Sequence, residues 1–189
     1  MTMSQKGQWI IVLAIVGLLG GALIAGLALS PTLEPVGVGS KAPEFQAVDV
    51  ATGDTVGLNQ YQGEVVLLNI WATWCVPCEQ EMPSMQRLHE ELADSGLRIV
   101  AVSVDDGSRE MVRSWTDERG LTFDILHDQS GRISRLYQTT GVPESFVIDT
   151  FGIIVEREIG WREWDHPAHK ALFRRLLGAS EGRVADDGS

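Results

Sequence analysis

The apolar and polar positions divide the chain into an N-terminal apolar run and a longer region of mixed pattern. Residues 9–29 carry no charged side chain and are mostly Ile, Leu, Val, Ala and Gly. At about 1.5 Å of rise per residue, a helix of this length matches a bilayer core of about 30 Å. The run therefore predicts a transmembrane helix.

The charges around this run predict its orientation. Lys6 lies before the run, and no basic cluster follows it. Because cytoplasmic flanks of membrane spans are enriched in basic residues, residues 1–8 are expected in the cytoplasm and the rest of the chain outside. We predict that 9–29 is an uncleaved signal anchor of a single-pass cell-membrane protein, since the run is longer than a usual signal core of about 7–15 residues. The alternative is a cleaved signal peptide with a poor cleavage site at 26–28.

Beyond the run, the pattern predicts one α/β domain between two less regular segments. Residues 30–43 are rich in Pro, Gly and Ser and predict a linker, and 179–189 are small and polar and predict a flexible tail. Between them, in 44–178, strand patterns alternate with amphipathic helical patterns, which indicates a central mixed β-sheet flanked by helices. Strands are expected at 45–50, 54–58, 65–72, 97–104, 122–126, 145–149 and 153–159, and helices at 79–93, 109–119, 133–137 and 166–177.

Composition narrows the range of partners. The formal net charge is −11 at pH 7, and 44% of the residues are hydrophobic. The hydrophobic content supports a packed core, whereas the acidic balance argues against nucleic acid and anionic lipid as partners. We therefore expect no nucleic-acid binding.

Both cysteines of the chain lie in one motif, WCVPC at residues 74–78. The motif follows a buried-strand pattern and precedes a helical one, so Cys75 is expected at the N-terminus of a helix. Unpaired backbone N–H groups and the helix dipole stabilise a thiolate there and lower the pKa of the thiol. A structural disulfide is the alternative, but a bridge across so short a loop removes little entropy from the unfolded chain. The motif therefore favours redox catalysis.

The same motif does not indicate a metal or haem site. A zinc site would need two further ligands, and the sequence has no second C-x-x-C or C-x-x-H pair. Glu79 follows Cys78 where a haem-attachment motif has histidine. His166 and His169 are three positions apart without an acidic or cysteine pattern around them, which favours a solvated helix start. We expect no metal, and no cofactor besides the redox-active Cys75–Cys78 pair.

The motif and a later loop together resemble the thioredoxin superfamily. WCVPC resembles its active site, and GVPESF at 141–146 resembles the loop whose proline is cis and faces the two cysteines in that fold. Two further features resemble one group within this superfamily: the segment LNIWATW at 68–74 before the motif, and the extra helix and strand between 105 and 129. With the predicted membrane anchor, they are similar to those of the membrane-anchored TlpA/ResA/CcmG group of thiol–disulfide oxidoreductases, which have a redoxin domain of the AhpC/TSA type. The resemblance covers about residues 41–178.

The resemblance implies a thioredoxin-like fold and specific roles at the site. Cys75 is the nucleophile that forms a mixed disulfide with the substrate, and Cys78 resolves this intermediate. Trp74, Val142 and Pro143 form the substrate-binding surface, with Pro143 in the cis form.

Three further residues are expected to shape the site without reacting. Pro77 removes a backbone donor and stiffens the turn between the cysteines. Pro83 falls within the helical pattern and is expected to kink the helix or displace its first turns. Asn69 stands where ordinary thioredoxin has a buried aspartate, and it cannot titrate.

Glu81 is the candidate proton relay. On a helix it shares one face with Cys78, Met85, Leu88 and Leu92, so its side chain should point toward the sheet. Burial raises the pKa of a carboxyl, which would let Glu81 exchange protons with the Cys78 sulfur. A glutamate three positions after the second cysteine is also a feature of the ResA-like members. The alternative is a first-turn Glu that favours the helix dipole and turns outward to water.

The functional hypothesis is an extracytoplasmic thiol–disulfide oxidoreductase that reduces protein disulfides through Cys75 and Cys78. The resemblance implies the C-x-x-C-H pair of apocytochrome c as substrate and a DsbD/CcdA-like transmembrane protein as electron donor. The alternatives are a disulfide-forming oxidase, a thiol peroxidase and a non-catalytic partner-binding module. Against the peroxidase, Glu64 lies near the place where peroxiredoxins have a proline. The pattern leaves open whether Trp161 and Trp164 pack at the surface or near a membrane.

Overall fold

A computed structural model describes residues 5–28 and 35–184, and the chain divides into an N-terminal unit and a domain from Pro35 onward. Helix α1 (Gln5–Ala28) overlaps the apolar run of the sequence. Taken over the residues that the structure describes, no helix combines the length and apolar character needed to cross a membrane. The predicted membrane span over 9–29 is therefore not confirmed. The described residues leave out 1–4 of the predicted cytoplasmic segment, the last residue of the predicted span (29), 30–34 of the predicted linker and 185–189 of the predicted tail.

The domain is built on one seven-stranded mixed β-sheet, as predicted. Its strands are β1 (Gln46–Asp49), β2 (Thr55–Gly57), β3 (Val65–Trp71), β4 (Leu97–Ser103), β5 (Asp124–His127), β6 (Glu144–Ile148) and β7 (Ile154–Ile159). Their order is β2-β1-β5-β4-β3-β6-β7. Strand β3 pairs in parallel with β4 and antiparallel with β6, and β4 pairs in parallel with β5. The carboxyl ends of β3, β4 and β5 therefore meet at one edge, where the cysteine motif begins.

Within residues 35–184, four α-helices accompany the sheet, and the first of them begins inside the motif. The helices are α2 (Val76–Leu92), α3 (Arg109–Asp117), α4 (Arg132–Leu136) and α5 (Pro167–Val184). Helix α2 begins before the predicted position 79, because a proline such as Pro77 fits the first turn, where its missing N–H has no helical partner. The helix is continuous past Pro83. Helix α5 extends beyond the predicted domain end at 178, so 179–184 are helical and not part of a tail.

The predicted linker over 30–43 is wrong for its second half. Val36 and Ala42 are buried in the core. The backbone N–H of Ala42 donates to the carbonyl of Gly152 at 2.8 Å, and Lys41 pairs with Ile153 as an isolated β-bridge. Residues 36–42 thus belong to the folded domain, because backbone pairing and apolar burial outweigh a composition that is typical of linkers.

Strand β3 is buried on both faces, which explains its continuous apolar pattern. Val65, Leu67 and Trp71 belong to one core cluster together with residues of α2, α3 and α5. The alternate positions of β3 belong to a second cluster on the opposite face, which includes Tyr137 and Phe146. The strand that leads into the motif is therefore held from both sides.

Candidate active site

The cysteines lie at the junction of β3 and α2 and form a disulfide. The two sulfur atoms are 2.04 Å apart, and the two Cα atoms are 5.2 Å apart. Cys75 is 5% exposed, whereas Cys78 is fully buried one turn into the helix. Cys75 is therefore the less enclosed of the two residues, which is the asymmetry expected of a nucleophilic and a resolving cysteine.

The start of α2 provides the polar environment of the Cys75 sulfur. Cys75 is the N-cap residue of α2, and its Sγ accepts a hydrogen bond from the backbone N–H of Cys78 at 3.2 Å. The first N–H groups of a helix lack partners within the helix, and together with the helix dipole they favour negative charge. This position suits a sulfur that must act as a thiolate.

A buried carboxylate fixes the loop before Cys75, and the sequence reading missed it. Asp105 is 1% exposed and follows the end of β4. It accepts hydrogen bonds from the N–H of Thr73 at 2.9 Å and from the Thr73 hydroxyl at 2.7 Å. The hydroxyl of Ser103 donates to it as well, at 2.7 Å. In the sequence, the only signal was an aspartate that follows a buried strand parallel to β3.

The predicted substrate loop packs against the core cluster to which the cysteines belong. The peptide bond between Val142 and Pro143 is cis. Val142 is half-buried and packs against the core cluster that contains both cysteines. Trp74 and Val76 are 66% and 64% exposed beside the disulfide. Apolar side chains are therefore exposed immediately on either side of Cys75 in the chain.

A buried ion pair holds the strand that follows this loop, and it too was missed from the sequence. Glu144 is fully buried, and its Oε1 accepts hydrogen bonds from the guanidinium of Arg157 on β7, at 2.6 Å from Nε. Its other oxygen accepts the N–H of Thr140 at 2.8 Å. Arg157 also donates to the carbonyl of Val36 at 2.7 Å. The pair thus ties both flanks of the Pro143 loop to β7 and to the N-terminal segment of the domain.

Glu81 is fully buried, as its helical face predicts, so the outward-turned alternative is wrong. The side-chain amide of Asn69 donates to Glu81 Oε1 at 2.7 Å and to the Ser145 hydroxyl at 2.9 Å. The backbone N–H of Arg162 donates to Glu81 Oε2 at 3.3 Å. Burial raises the pKa of Glu81 from 4.5 to about 7, and these donors oppose the rise. A carboxyl with this pKa exchanges protons readily near neutral pH.

The histidines that the sequence left as weak metal candidates have other contacts. Their rings, on His166 and His169, are 6.4 Å apart, and His169 Nδ1 lies 2.9 Å from the carbonyl of Glu163. Within 5–28 and 35–184, no group of three or more His, Cys, Asp or Glu side chains is arranged to hold a metal. The described part of the chain offers sulfur and carboxyl chemistry at this site.

Comparison with known sequences agrees with this chemistry. The model of the AhpC/TSA family matches residues 38–157. The thiol-disulfide oxidoreductase ResA of Oceanobacillus iheyensis is 42% identical over 122 residues, and the match covers 63% of this chain and 63% of that protein. ResA of Bacillus thuringiensis strain Al Hakam is 34% identical over 151 residues, which is 80% of this chain and 85% of that protein. The chain thus spans slightly less than two thirds of the first relative and most of the second.

Solved structures show the same fold. The chain is similar to a thiol:disulfide interchange protein DsbE from Chlorobium tepidum, with 32% identity, a TM-score of 0.65 and coverage of 77% of this chain and 98% of that one. A thiol:disulfide interchange protein from Bacteroides sp. gives 26% identity and a TM-score of 0.67, with coverage of 79% and 96%. The predicted thioredoxin-like fold is confirmed.

Proposed function

Since the chain belongs to the AhpC/TSA family and to the ResA-like thiol–disulfide oxidoreductases of the thioredoxin superfamily, we propose that it reduces disulfides of other proteins. The observation that carries the proposal is the asymmetry of the pair. Cys75 is partly open at the helix N-terminus, and Cys78 is enclosed behind it. One sulfur therefore meets the substrate, and the other acts inside the protein.

In the proposed reaction, two electrons pass from the dithiol to the substrate. The Cys75 thiolate attacks one sulfur of the substrate disulfide, forms a mixed disulfide and releases the other substrate sulfur as a thiolate, which takes a proton from water. Cys78 then loses its proton to Glu81, and its thiolate attacks the Cys75 sulfur. The bond between Cys75 and the substrate breaks, the second substrate sulfur leaves as a thiolate, and the Cys75–Cys78 disulfide forms.

Glu81 suits the proton step because its pKa lies close to neutral pH. Burial raises this pKa to about 7, so the carboxyl is partly ionised at neutral pH and can accept a proton. Cys78 and Glu81 are both buried residues of α2 and lie one turn apart, which supports a proton transfer between them. Asn69 holds the carboxyl but cannot take up a proton itself.

For the substrate, we propose the C-x-x-C-H pair of apocytochrome c, with a DsbD/CcdA-like transmembrane protein as the source of electrons. The support is the similarity to ResA and to DsbE. The contact surface would be formed by Trp74, Val142 and Pro143, since the first is exposed beside the disulfide and the other two form the adjacent loop.

We also propose that the domain works outside the cytoplasm at the cell membrane. The support is the sequence pattern alone, in which Lys6 precedes an uncharged run over 9–29. Since the outer side is either a periplasm or a cell-wall space, protease digestion of spheroplasts tests this: an extracytoplasmic domain is degraded while a cytoplasmic control protein survives. Protection of the domain until the spheroplasts are lysed would contradict the proposed location.

The direction of electron flow is tested by the reduction potential of the Cys75–Cys78 pair in the full-length chain. A value near or below that of thioredoxin, about −270 mV, is expected of a reductant. A value near that of DsbA, about −120 mV, would make the protein a disulfide-forming oxidase. A parallel assay with hydrogen peroxide addresses the peroxidase alternative that the AhpC/TSA match raises, and we expect no peroxide consumption above that of the Cys75→Ser variant.

A further inference from the structure

The segment from Gly160 to Trp164 crosses the site and joins the Pro143 loop to α2. Ile159, just before the segment, and Trp161, within it, are 57% and 46% exposed. Every second backbone N–H of the segment donates inward, from Gly160 to the Pro143 carbonyl at 2.8 Å, from Arg162 to Glu81 Oε2 at 3.3 Å and from Trp164 to Ser84 Oγ at 3.0 Å. The Ser84 hydroxyl in turn donates to the Glu81 carbonyl at 2.7 Å. This segment therefore holds its backbone against Glu81 and Ser84 on α2.

Trp164 has a buried donor that makes no well-formed hydrogen bond. The side chain is 1% exposed, and its indole Nε1 has no hydrogen-bond partner among the described residues. Buried N–H groups are nearly always paired, so an unpaired one in a reactive site calls for an explanation. The indole N–H is nevertheless near enough to Glu81 to act as a donor to the carboxyl and lower its pKa, so it lies at the limit of hydrogen-bond range from this acceptor. A second unpaired buried atom, Asn69 Oδ1, belongs to a side chain that already donates to Glu81.

The charged and titratable groups around Glu81 are few. Cys78 lies one turn back on α2, and the Arg162 guanidinium lowers the pKa of the carboxyl and pairs with Glu158. Asn69 on β3 faces it without a charge. On the other side of the Trp164 ring lies His169, with ring centroids 5.0 Å apart. An ionised Glu81 thus depends on N–H donors more than on a neighbouring cation.

We propose that Trp164 is a positioning residue for Glu81, and that its indole N–H binds the carboxylate when Glu81 ionises and releases it when Glu81 takes up a proton. This inference rests on the proposed function, in which Glu81 accepts the proton of Cys78 during turnover. A donor that binds only the charged form favours that form. Loss of the indole N–H should therefore make the carboxyl hold its proton to higher pH.

The test is an infrared titration of Glu81 in the full-length oxidised protein. The C=O stretch of the protonated carboxyl is followed against pH, and the Glu81→Gln variant identifies the band. In Trp164→Phe, which keeps an aromatic ring but lacks the N–H, the midpoint should move up by about one pH unit, or about tenfold in proton affinity. An unchanged midpoint in a folded Trp164→Phe protein would overturn the proposal.

Two variants separate this role from packing. Phe173 lies against Trp164 with ring centroids 6.3 Å apart, so Phe173→Leu disturbs the same packing without removing a donor. His169→Phe removes the titratable ring next to Trp164. We expect both to leave the midpoint in place, even where the melting temperature falls. A shift in Phe173→Leu equal to that in Trp164→Phe would assign the effect to packing and reject the donor role.

The same set of proteins distinguishes this inference from the proton relay itself. The reduction potential of Cys75–Cys78 is measured against pH in wild type, Glu81→Gln and Trp164→Phe, by alkylation of free thiols and mass spectrometry. If Glu81→Gln leaves the pH profile unchanged while the infrared midpoint still moves in Trp164→Phe, the relay is wrong and the Trp164–Glu81 contact stands. If Glu81→Gln alters the profile but the infrared midpoint does not respond to Trp164→Phe, the relay stands and the inference about Trp164 fails.

Discussion

The carboxylate of Asp105 accepts hydrogen bonds from both the backbone N–H and the hydroxyl of Thr73, at 2.9 and 2.7 Å. Because β3 and β4 run in parallel with Trp71 opposite Ser103, Asp105 leaves its strand beside the loop that leads to Cys75. The carboxylate therefore fixes the chain just before the nucleophile.

Replacing Asp105 with Asn tests this arrangement. The amide has one acceptor oxygen and no charge, so at least one of the charge-assisted hydrogen bonds is lost, at a cost of about 1.5–3 kcal/mol in the free energy of unfolding. With the loop less well fixed, the Cys75 sulfur should be held less precisely at the start of α2. We expect the alkylation rate of Cys75 in the reduced protein to change severalfold, as measured with iodoacetamide at fixed pH.

Asp128→Asn is the matched control. Asp128 is also buried, and its carboxylate accepts the N–H of Ile133 at 2.6 Å at the start of α4. Its loss should lower stability by a similar amount but leave the alkylation rate of Cys75 unchanged. Equal effects of the two substitutions on Cys75 would show that Asp105 acts only through global stability.

The buried pair of Glu144 and Arg157 makes a second prediction. Arg157→Met removes the cation and leaves the fully buried Glu144 without its counter-charge. Breaking a buried pair from one side costs about 3–5 kcal/mol in the free energy of unfolding, measured here by urea denaturation. The double variant Glu144→Gln with Arg157→Met should recover part of this loss, since no uncompensated charge remains. A double variant that is less stable than Arg157→Met would contradict this account.

The parts of the site that depend on local pattern were predictable from the sequence. Three features each depend on a short stretch of chain: the apolar run that forms β3, the cysteine motif at its end, and the position of Glu81 on the buried face of α2. Strand and helix periodicity are local properties, and they placed Glu81 on the buried face before its partners were known.

The parts that depend on contacts between distant residues were not predictable in this way. Asp105 lies 32 positions from Thr73, and Arg162 lies 81 positions from Glu81. Nothing in the sequence around Asp105 distinguishes a buried acceptor from a turn residue. The error at 36–42 has the same origin, since Val36 is buried through contacts that its composition does not reveal.

The raised pKa of Glu81 predicts how stability depends on pH. Burial raises this pKa from 4.5 to about 7, so between these values the folded protein binds more protons than the unfolded chain. The contribution of Glu81 to the free energy of unfolding is then largest below the pKa of 4.5 that it has in the unfolded chain. It falls as pH rises from there and is lost above about pH 7. Over the whole window the change amounts to about 3 kcal/mol.

Urea unfolding of the oxidised protein at about pH 5 and about pH 8 measures this change. Glu81→Gln removes the titrating group. The free energy of unfolding of this variant, relative to that of wild type, should therefore be higher at about pH 8 than at about pH 5. Glu91→Gln is the control on the outer face of α2, where Lys170 and Arg174 lower the pKa of the carboxyl and place its titration below the window. If the free energies of unfolding of wild type and Glu81→Gln change in parallel with pH, the pKa of Glu81 is not raised by folding.

The unequal exposure of the two cysteines predicts which single variant traps a substrate. In Cys78→Ser the partly open Cys75 still attacks, but no thiol remains to resolve the mixed disulfide, so a covalent adduct with a C-x-x-C-H peptide disulfide should accumulate. In Cys75→Ser the remaining thiol is fully buried, and little adduct should form. Mass spectrometry after acid quenching detects both, and dithiothreitol should reverse the adduct. Equal adduct yields from the two variants would contradict the assignment of Cys75 as nucleophile, because a sulfur enclosed in the core would then be as accessible as one at the helix N-terminus.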